Sequence, residues 1–179
     1  MSKILTTQLS GLLQRIQQSE EDAIEETARL LAQAAIGQGT VYFACFGEME
    51  GVALNAFNGA ETFAHCAPYS KDVKLLSADR VIIFTRSGND DDAVLLARQL
   101  NDAFIPFAAV ASEVASEGNK LSELAYTYIC LKMRGGILPH PTNLGERIVM
   151  PHLMAALFVY EAIKMEFDEM IADDDDFDE

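Results

Sequence analysis

Short apolar runs that alternate with stretches of helical periodicity predict an α/β fold. The expected form is a three-layer sandwich: about five parallel strands flanked by helices on both faces. Three observations carry this. Thr40–Phe46 (TVYFACF), Asp79–Phe84 (DRVIIF), Ile105–Ala111 and Thr127–Leu131 are short apolar runs of the kind that form buried strands. The stretch Asp79–Leu100 reads as strand, small polar turn, amphipathic helix, which is half of a βαβ unit, with Ala93, Leu96, Ala97 and Leu100 at helical spacing. The chain has 179 residues, 50% of them apolar, enough for one domain with a sizeable core.

From Ile4 to about Ile36 the pattern is helical, with one stripe of Leu5, Leu9, Leu12 and Ile16 and a second of Ile24, Ala28, Leu31 and Ala35. The polar stretch Gln17–Asp22 between the stripes predicts a break or kink, and Gly37 and Gly39 stop the helix. A helix this long needs a cover, and a partner subunit is one candidate. After the strand at Thr40–Phe46 come a turn, Gly47-Glu48-Met49-Glu50-Gly51, and a helix from Val52 to about Ala60. Thr62–Cys66 is expected as a short second strand, Asp79–Phe84 as the third, Ile105–Ala111 as the fourth and Thr127–Leu131 as the fifth, with one or two helical turns within Ser112–Leu124.

Gly135-Gly136, Pro139, Pro141 and Gly145 make 134–146 the most turn-rich segment. The last helix starts near Arg147 or Pro151 and runs to Ile171. Its apolar positions Leu153, Ala156, Leu157, Tyr160, Ile163, Phe167 and Met170 form a seam for another helix. Residues 1–171 thus read as a single domain, and 172–179 as an acidic, solvated tail.

The formal charge is −15, and nine acids between Glu166 and Glu179 leave −6 for the rest. Such a balance argues against nucleic acid and anionic membrane surfaces as partners. The apolar runs are too short to span a bilayer and the start of the chain carries no apolar signal core, which predicts a cytoplasmic protein. Three cysteines, Cys45, Cys66 and Cys130, stand far apart with no metal-ligand spacing, and Cys45 and Cys130 read as buried free thiols.

In an open parallel sheet a ligand sits beyond the strand ends, where helix N-termini offer unpaired N–H groups. The candidate site is therefore the turn after Phe84, and here a family resemblance enters. The order of elements leading to IIFTRSGND resembles the SIS (sugar isomerase) domain, a flavodoxin- or Rossmann-like fold, and among its enzymes the phosphoheptose isomerases. Thr85, Ser87, Gly88 and Asn89 fall on that family's Ser-x-Ser-Gly-Asn-Ser phosphate loop, and Glu146-Arg147-Ile148 running into His152 resembles the entrance of its last helix. The TTQL…RIQ opening and the GEMEGV turn are shared with an uncharacterised bacterial SIS-like family. The resemblance implies a five-stranded parallel sheet, a pocket at the strand ends, and a homodimer or homotetramer packed through the terminal helices.

The departures are chemical. The loop's third hydroxyl position is Asp90, followed by Asp91 and Asp92, and the family's first Gly-rich turn is replaced by Gly47-Glu48-Met49-Glu50-Gly51. A carboxylate beside a bound phosphate costs repulsion. Sugar isomerisation moves a proton between adjacent carbons, a task for a carboxylate and a histidine. The resemblance places the catalytic carboxylate on Glu61, the partner histidine on Leu157 and a metal-binding histidine on Phe57, so phosphoheptose isomerase chemistry is not supported by these residues.

Glu48, Glu50 and Asp90–Asp92 have two readings: a divalent-cation site, or capping acids favoured in the first turn of a helix. Capping is preferred, and neither a metal nor a cofactor is expected. Ser87, Gly88 and Asn89 either hold a small ligand or simply form a tight turn. Glu61 is a catalytic relic or a solvated helix-end charge, and His152 stands near the pocket if the resemblance holds. The leading expectation is a phosphosugar-type binding protein without isomerase chemistry, using Gly47, Glu48, Thr85, Ser87, Gly88, Asn89 and Asp90. The alternatives are an aldose–ketose isomerase working through Glu61 and His152, and a structural or regulatory oligomer that binds no ligand.

Overall fold

A computed structural model of the chain describes residues 2–175. Helix α1 (Ser2–Ile36) is followed by β1 (Val41–Cys45), a 3-10 turn (Gly47–Met49) and α2 (Glu50–Asn58). Next come β2 (Cys66–Pro68), β3 (Arg80–Phe84), α3 (Asp91–Asp102), β4 (Phe107–Ala111), α4 (Lys120–Leu124) and β5 (Thr127–Cys130). A small antiparallel pair, β6 (Leu138–Pro139) and β7 (Arg147–Ile148), precedes the last helix, α5 (His152–Asp175).

The five main strands form one parallel sheet in the order β2-β1-β3-β4-β5, and this is the expected three-layer arrangement. Alternate side chains serve opposite layers because successive residues of a strand face opposite ways. Val41, Phe43, Ile82, Phe84, Ala108, Val110 and Ile129 pack under α1, α2 and α5. Ala44, Val81, Ile83, Phe107 and Ala109 pack against α3 and α4. With both faces covered, the central strands are apolar except for Arg80 at the start of β3.

Helix α1 is continuous over 35 residues, so the break expected at Gln17–Asp22 is corrected. The polar stretch hides a buried contact. Glu20 is 8% exposed, and its two carboxylate oxygens accept from the Cys130 N–H at 3.0 Å and from Lys132 Nζ at 2.7 Å. Cys130 lies on the edge strand, where an N–H has no neighbouring strand to pair with. The carboxylate supplies that partner, and the Thr27 and Thr127 hydroxyls, 2.8 Å apart, add a second buried tie between α1 and β5.

The cover for α1 comes from its own chain: α5 packs along it, burying Ala155, Ala156, Val159, Tyr160, Ile163 and Phe167. The seam on the last helix is thus filled within one chain. Only the N-terminal stretch Ser2–Ser10 of α1 stays largely outside the core.

Three further boundaries differ from expectation. The second strand is Cys66–Pro68, not Thr62–Cys66. Phe63 is drawn into the core instead: its N–H caps the Ala56 carbonyl, and its ring meets Phe43 at 5.2 Å and Phe167 at 4.4 Å. Arg147 and Ile148 form β7 rather than a helix entrance, held by the Arg147 guanidinium donating to the Gly136 and Ile137 carbonyls at 2.7 and 2.8 Å. The helix starts only at His152 and continues to Asp175, into the segment expected as a tail, while 176–179 lie outside the described residues. No helix among the described residues is long and apolar enough to cross a membrane.

Removing the Glu20 carboxylate strands a buried N–H and a partly buried ammonium. Glu20→Ala is therefore expected to cost about 2–3 kcal/mol. The exposed neighbour substitution Glu21→Ala should stay within about 0.5 kcal/mol. Denaturant melts of the two variants check this, and equal midpoints would contradict it.

Candidate functional site

All five main strands end at one edge of the sheet, and four of the turns there carry polar chemistry. Because the chain passes from β1 outward to β2 and then back across to β3, the switch point of the topology lies between β1 and β3. Glu48, in the 3-10 turn after β1, accepts at a single oxygen from Arg86 Nε at 3.0 Å and Nη2 at 2.8 Å. His152, 6% exposed at the start of α5, brings Nδ1 to 4.0 Å from the same oxygen, and that nitrogen is buried without a hydrogen-bond partner. An exposed ion pair of this kind is worth at most about 1 kcal/mol, so it closes the switch point only weakly.

The turn after β3 is folded around a carboxylate. Glu113, two residues past the end of β4, accepts from the Ser87 hydroxyl at 2.7 Å and from the Gly88 N–H at 2.8 Å. Asn89 N–H donates back to Ser87 Oγ at 3.2 Å. Asp90 is the N-cap of α3, accepting from the Ala93 N–H at 2.9 Å. The hydroxyl and N–H groups that would face an anion are therefore met by two carboxylates of the chain itself. Thr85 is buried and continues the sheet through its N–H to the Val110 carbonyl. Gly88 is required by a close approach: a Cβ there would lie 2.2 Å from Asn119 Oδ1. Asn119 caps α4 and also donates to Tyr128 Oη at 3.0 Å, while Lys120 N–H and Leu121 N–H donate to Asn89 Oδ1 and the Gly88 carbonyl. Gly47, in contrast, sits at φ +59°, the left-handed conformation its turn needs.

Beside Glu113, a cavity of about 870 Å³ opens between α1 and the ends of β4 and β5. Arg15, Gln18 and Ser19 of α1 form one wall; Ser112, Glu113, Lys132 and Arg134 contribute the other. Ser112 is 5% exposed and its hydroxyl has no hydrogen-bond partner. Hydrogen bonding to Glu20 pushes the Lys132 ammonium above its ordinary pKa, so it stays charged. None of these residues was singled out from the sequence. Their one visible signal was the polar run in mid-helix, which read as a break.

Other expected site residues are dispersed. Glu61 and His152 do not meet: Phe63, two residues beyond Glu61, stacks on Phe167, which lies fifteen residues along α5 from His152. That separation is about 22 Å at 1.5 Å per residue. Glu61 is exposed, and Phe57 and Leu157 are partly buried against the core. Glu48, Glu50 and Asp90–Asp92 do not converge: Glu48 is engaged by Arg86 and Asp90 by its helix, as capping predicts. Among the described residues no three His, Cys, Asp or Glu side chains are placed to share a metal ion.

The layered sheet and the long first helix define a three-layer α/β domain with a five-stranded parallel sheet. Residues 1–171 match the family described as "Domain of unknown function (DUF2529)", and the chain belongs to that family. The Bacillus subtilis (strain 168) protein YwjG is 32% identical over 172 residues, covering 96% of this chain and 98% of that protein. Two solved structures share the fold. Phosphoheptose isomerase GmhA from Neisseria gonorrhoeae superposes with a TM-score of 0.64 at 12% identity, covering 94% of this chain and 96% of that one. The Vibrio vulnificus NanR protein complexed with ManNAc-6P gives 0.65 at 11% identity, covering 98% of this chain and 64% of that one.

Two predictions concern this edge. Gly88→Ala forces a Cβ into the Asn119 amide and should cost about 1–3 kcal/mol, read as a lowered denaturant midpoint; an unchanged midpoint would show that Asn119 yields freely. Burial pushes the Cys45 thiol from 9.0 up to about 12, and it also raises Cys66 and Cys130. Below pH 9 both folded and unfolded states hold the Cys45 proton; above it the unfolded state loses the proton first. Stability therefore falls as pH rises from about 9 to about 12, by up to about 1.4 kcal/mol per pH unit per such group. Cys45→Ala should flatten that decline in denaturant melts across the alkaline range.

Proposed function

We propose that this chain is a binding protein for a small phosphorylated-sugar-type metabolite, held at the turn Thr85–Asp90 and the neighbouring Gly47–Glu48 turn, without classical isomerase chemistry. The observation that carries the reading is Glu113. Its carboxylate accepts from Ser87 Oγ and the Gly88 N–H, which supports the reading of this turn as a donor set for an oxyanion. A phosphate arriving there exchanges with a tethered group of the same kind. The pairing of Glu61 with His152 that an isomerase was expected to use is absent from this arrangement, which favours binding over turnover.

A second reading rests on Glu48 and His152, a carboxylate and a buried imidazole 4.0 Å apart at the switch point. They are the two group types that an aldose–ketose isomerase needs. Assembly into a homodimer or homotetramer through the terminal helices and a cytoplasmic location complete the proposal; support for the former is the largely uncovered N-terminal stretch of α1.

The test is a thermal-shift and calorimetric panel of sugar phosphates. A ligand at one hundred times its dissociation constant stabilises the folded state by about 2.7 kcal/mol. Ser87→Ala should diminish the shift, and Glu113→Gln, which removes the internal competitor's charge, should strengthen binding. Turnover of a sugar phosphate that is lost in Glu48→Gln would move the conclusion to the isomerase reading. Silence across the panel, with a stable oligomer in solution, would replace both with a structural role.

A further inference from the structure

We propose that the cavity between α1 and the ends of β4 and β5 is a second oxyanion site, distinct from the Ser87 turn, which takes a phosphate or carboxylate group of a small molecule through Arg15, Arg134, Lys132 and Ser112. The charge distribution is the first argument. Lys and Arg number 13 against 28 acids, yet three of those cations line this one cavity with a single carboxylate, Glu113. That carboxylate keeps its charge while it accepts from Ser87 and Gly88, and Glu20 pairs Lys132, so the positive balance of the cavity rests on Arg15 and Arg134. Arg15 and Arg134 make no ion pair with another described residue. Such an island of positive charge in an acidic chain concentrates anions locally while the surrounding field repels them from other surfaces.

The second argument is independent of charge. Ser112 is more than nine-tenths buried in the wall of the cavity, and its hydroxyl is left without a partner. Buried hydroxyls are ordinarily paired, and an unpaired one is destabilising. Its backbone is fully employed, with N–H donating to the Arg86 carbonyl and C=O accepting from Met133 N–H, so the residue is fixed in place with only the side chain free. An oxyanion in the cavity completes the hydroxyl's bonding and meets the two guanidinium groups, whose paired N–H donors suit phosphate and carboxylate equally. Lys132 is the positioned member, since Glu20 holds its ammonium at 2.7 Å and joins the cavity to the tie between α1 and β5.

The decisive experiment is calorimetry at low salt with the full chain in a Ser87→Ala background, which disables the turn described above and isolates the cavity. Inorganic phosphate and succinate serve as probes of the two anion classes. Binding of at least one should persist in Ser87→Ala. It should weaken about tenfold or more when Arg15→Gln and Arg134→Gln are added, and it should weaken as salt is raised. Both arginines are exposed, so these variants are expected to fold; Ser112→Ala is the second check, leaving the free protein no less stable while lowering affinity. The probe that binds more tightly names the class of ligand. Loss of all binding in Ser87→Ala alone, no binding of either probe, or affinity indifferent to both arginines would each overturn the proposal. Failure of the phosphosugar reading shows separately, in the Arg15→Gln/Arg134→Gln background that silences the cavity, as a sugar-phosphate shift that Ser87→Ala does not change.

Discussion

One buried carboxylate decides where the longest helix lies. Glu20 grips the last N–H of the edge strand and the lysine just beyond it, and through them locks α1 across β5. Without that tie, α1 would still bury its apolar stripes against α5, but hydrophobic contact is non-directional and leaves sliding along the helix axis cheap. A hydrogen-bonded charge is directional and costly to leave unpaired, so it selects one register. The register carries chemistry with it. Arg15, Gln18 and Ser19, one to five residues before Glu20, are set against the ends of β4 and β5 and form one wall of the cavity.

The neighbouring turn shows how the donors at a helix N-terminus can be satisfied by carboxylates of the same chain. A helix N-terminus with a hydroxyl before it attracts negative charge whether or not a ligand supplies it. In this chain Asp90 takes the cap and Glu113 takes the hydroxyl and the Gly88 N–H. The donors are satisfied internally, which stabilises the turn in the absence of any partner. The same satisfaction explains the rigid link from Gly88 and Asn89 to Asn119, Lys120 and Leu121: the turns after β3 and β4 behave as one unit because their hydrogen bonds cross between them.

The layers of this fold were legible in the sequence because they depend on local pattern. Short β-branched runs such as Val81-Ile82-Ile83-Phe84 read as strands covered on both faces, and the three- and four-residue steps of α5 read as a seam. What escaped depends on contacts between residues distant in the chain. Gln17–Asp22 looked like a break since a buried glutamate and an exposed one are identical letters; the difference is Cys130, 110 positions away. Phe63 looked like part of a strand, yet its ring is worth more in the aromatic cluster with Phe43 and Phe167 than in a ladder at the sheet edge. The candidate location, at the strand ends after β3, follows from topology. Its chemistry does not: Glu113, which meets Ser87, and Arg15, which faces Arg134 across the cavity, acquire meaning only once β4 and β5 lie side by side.

Glu113 stands between the turn and the cavity that we propose as anion sites, and that position would make it selective. A tethered carboxylate competes with a free ligand at the effective concentration of an intramolecular group, which for short links reaches the millimolar range or above. A weakly held monoanion cannot displace it from Ser87 and Gly88. A dianionic phosphate gains more from the same donors and from the helix dipole, and a ligand with further polar groups gains again from the turn at Gly47 and Glu48. In the cavity next door only Lys132 is met by a carboxylate, that of Glu20, while Arg15 and Arg134 form no ion pair among the described residues. The two halves of the edge therefore differ in what they demand of a ligand: the turn requires an anion strong enough to evict one of the chain's own, and the cavity requires only that the anion reach it.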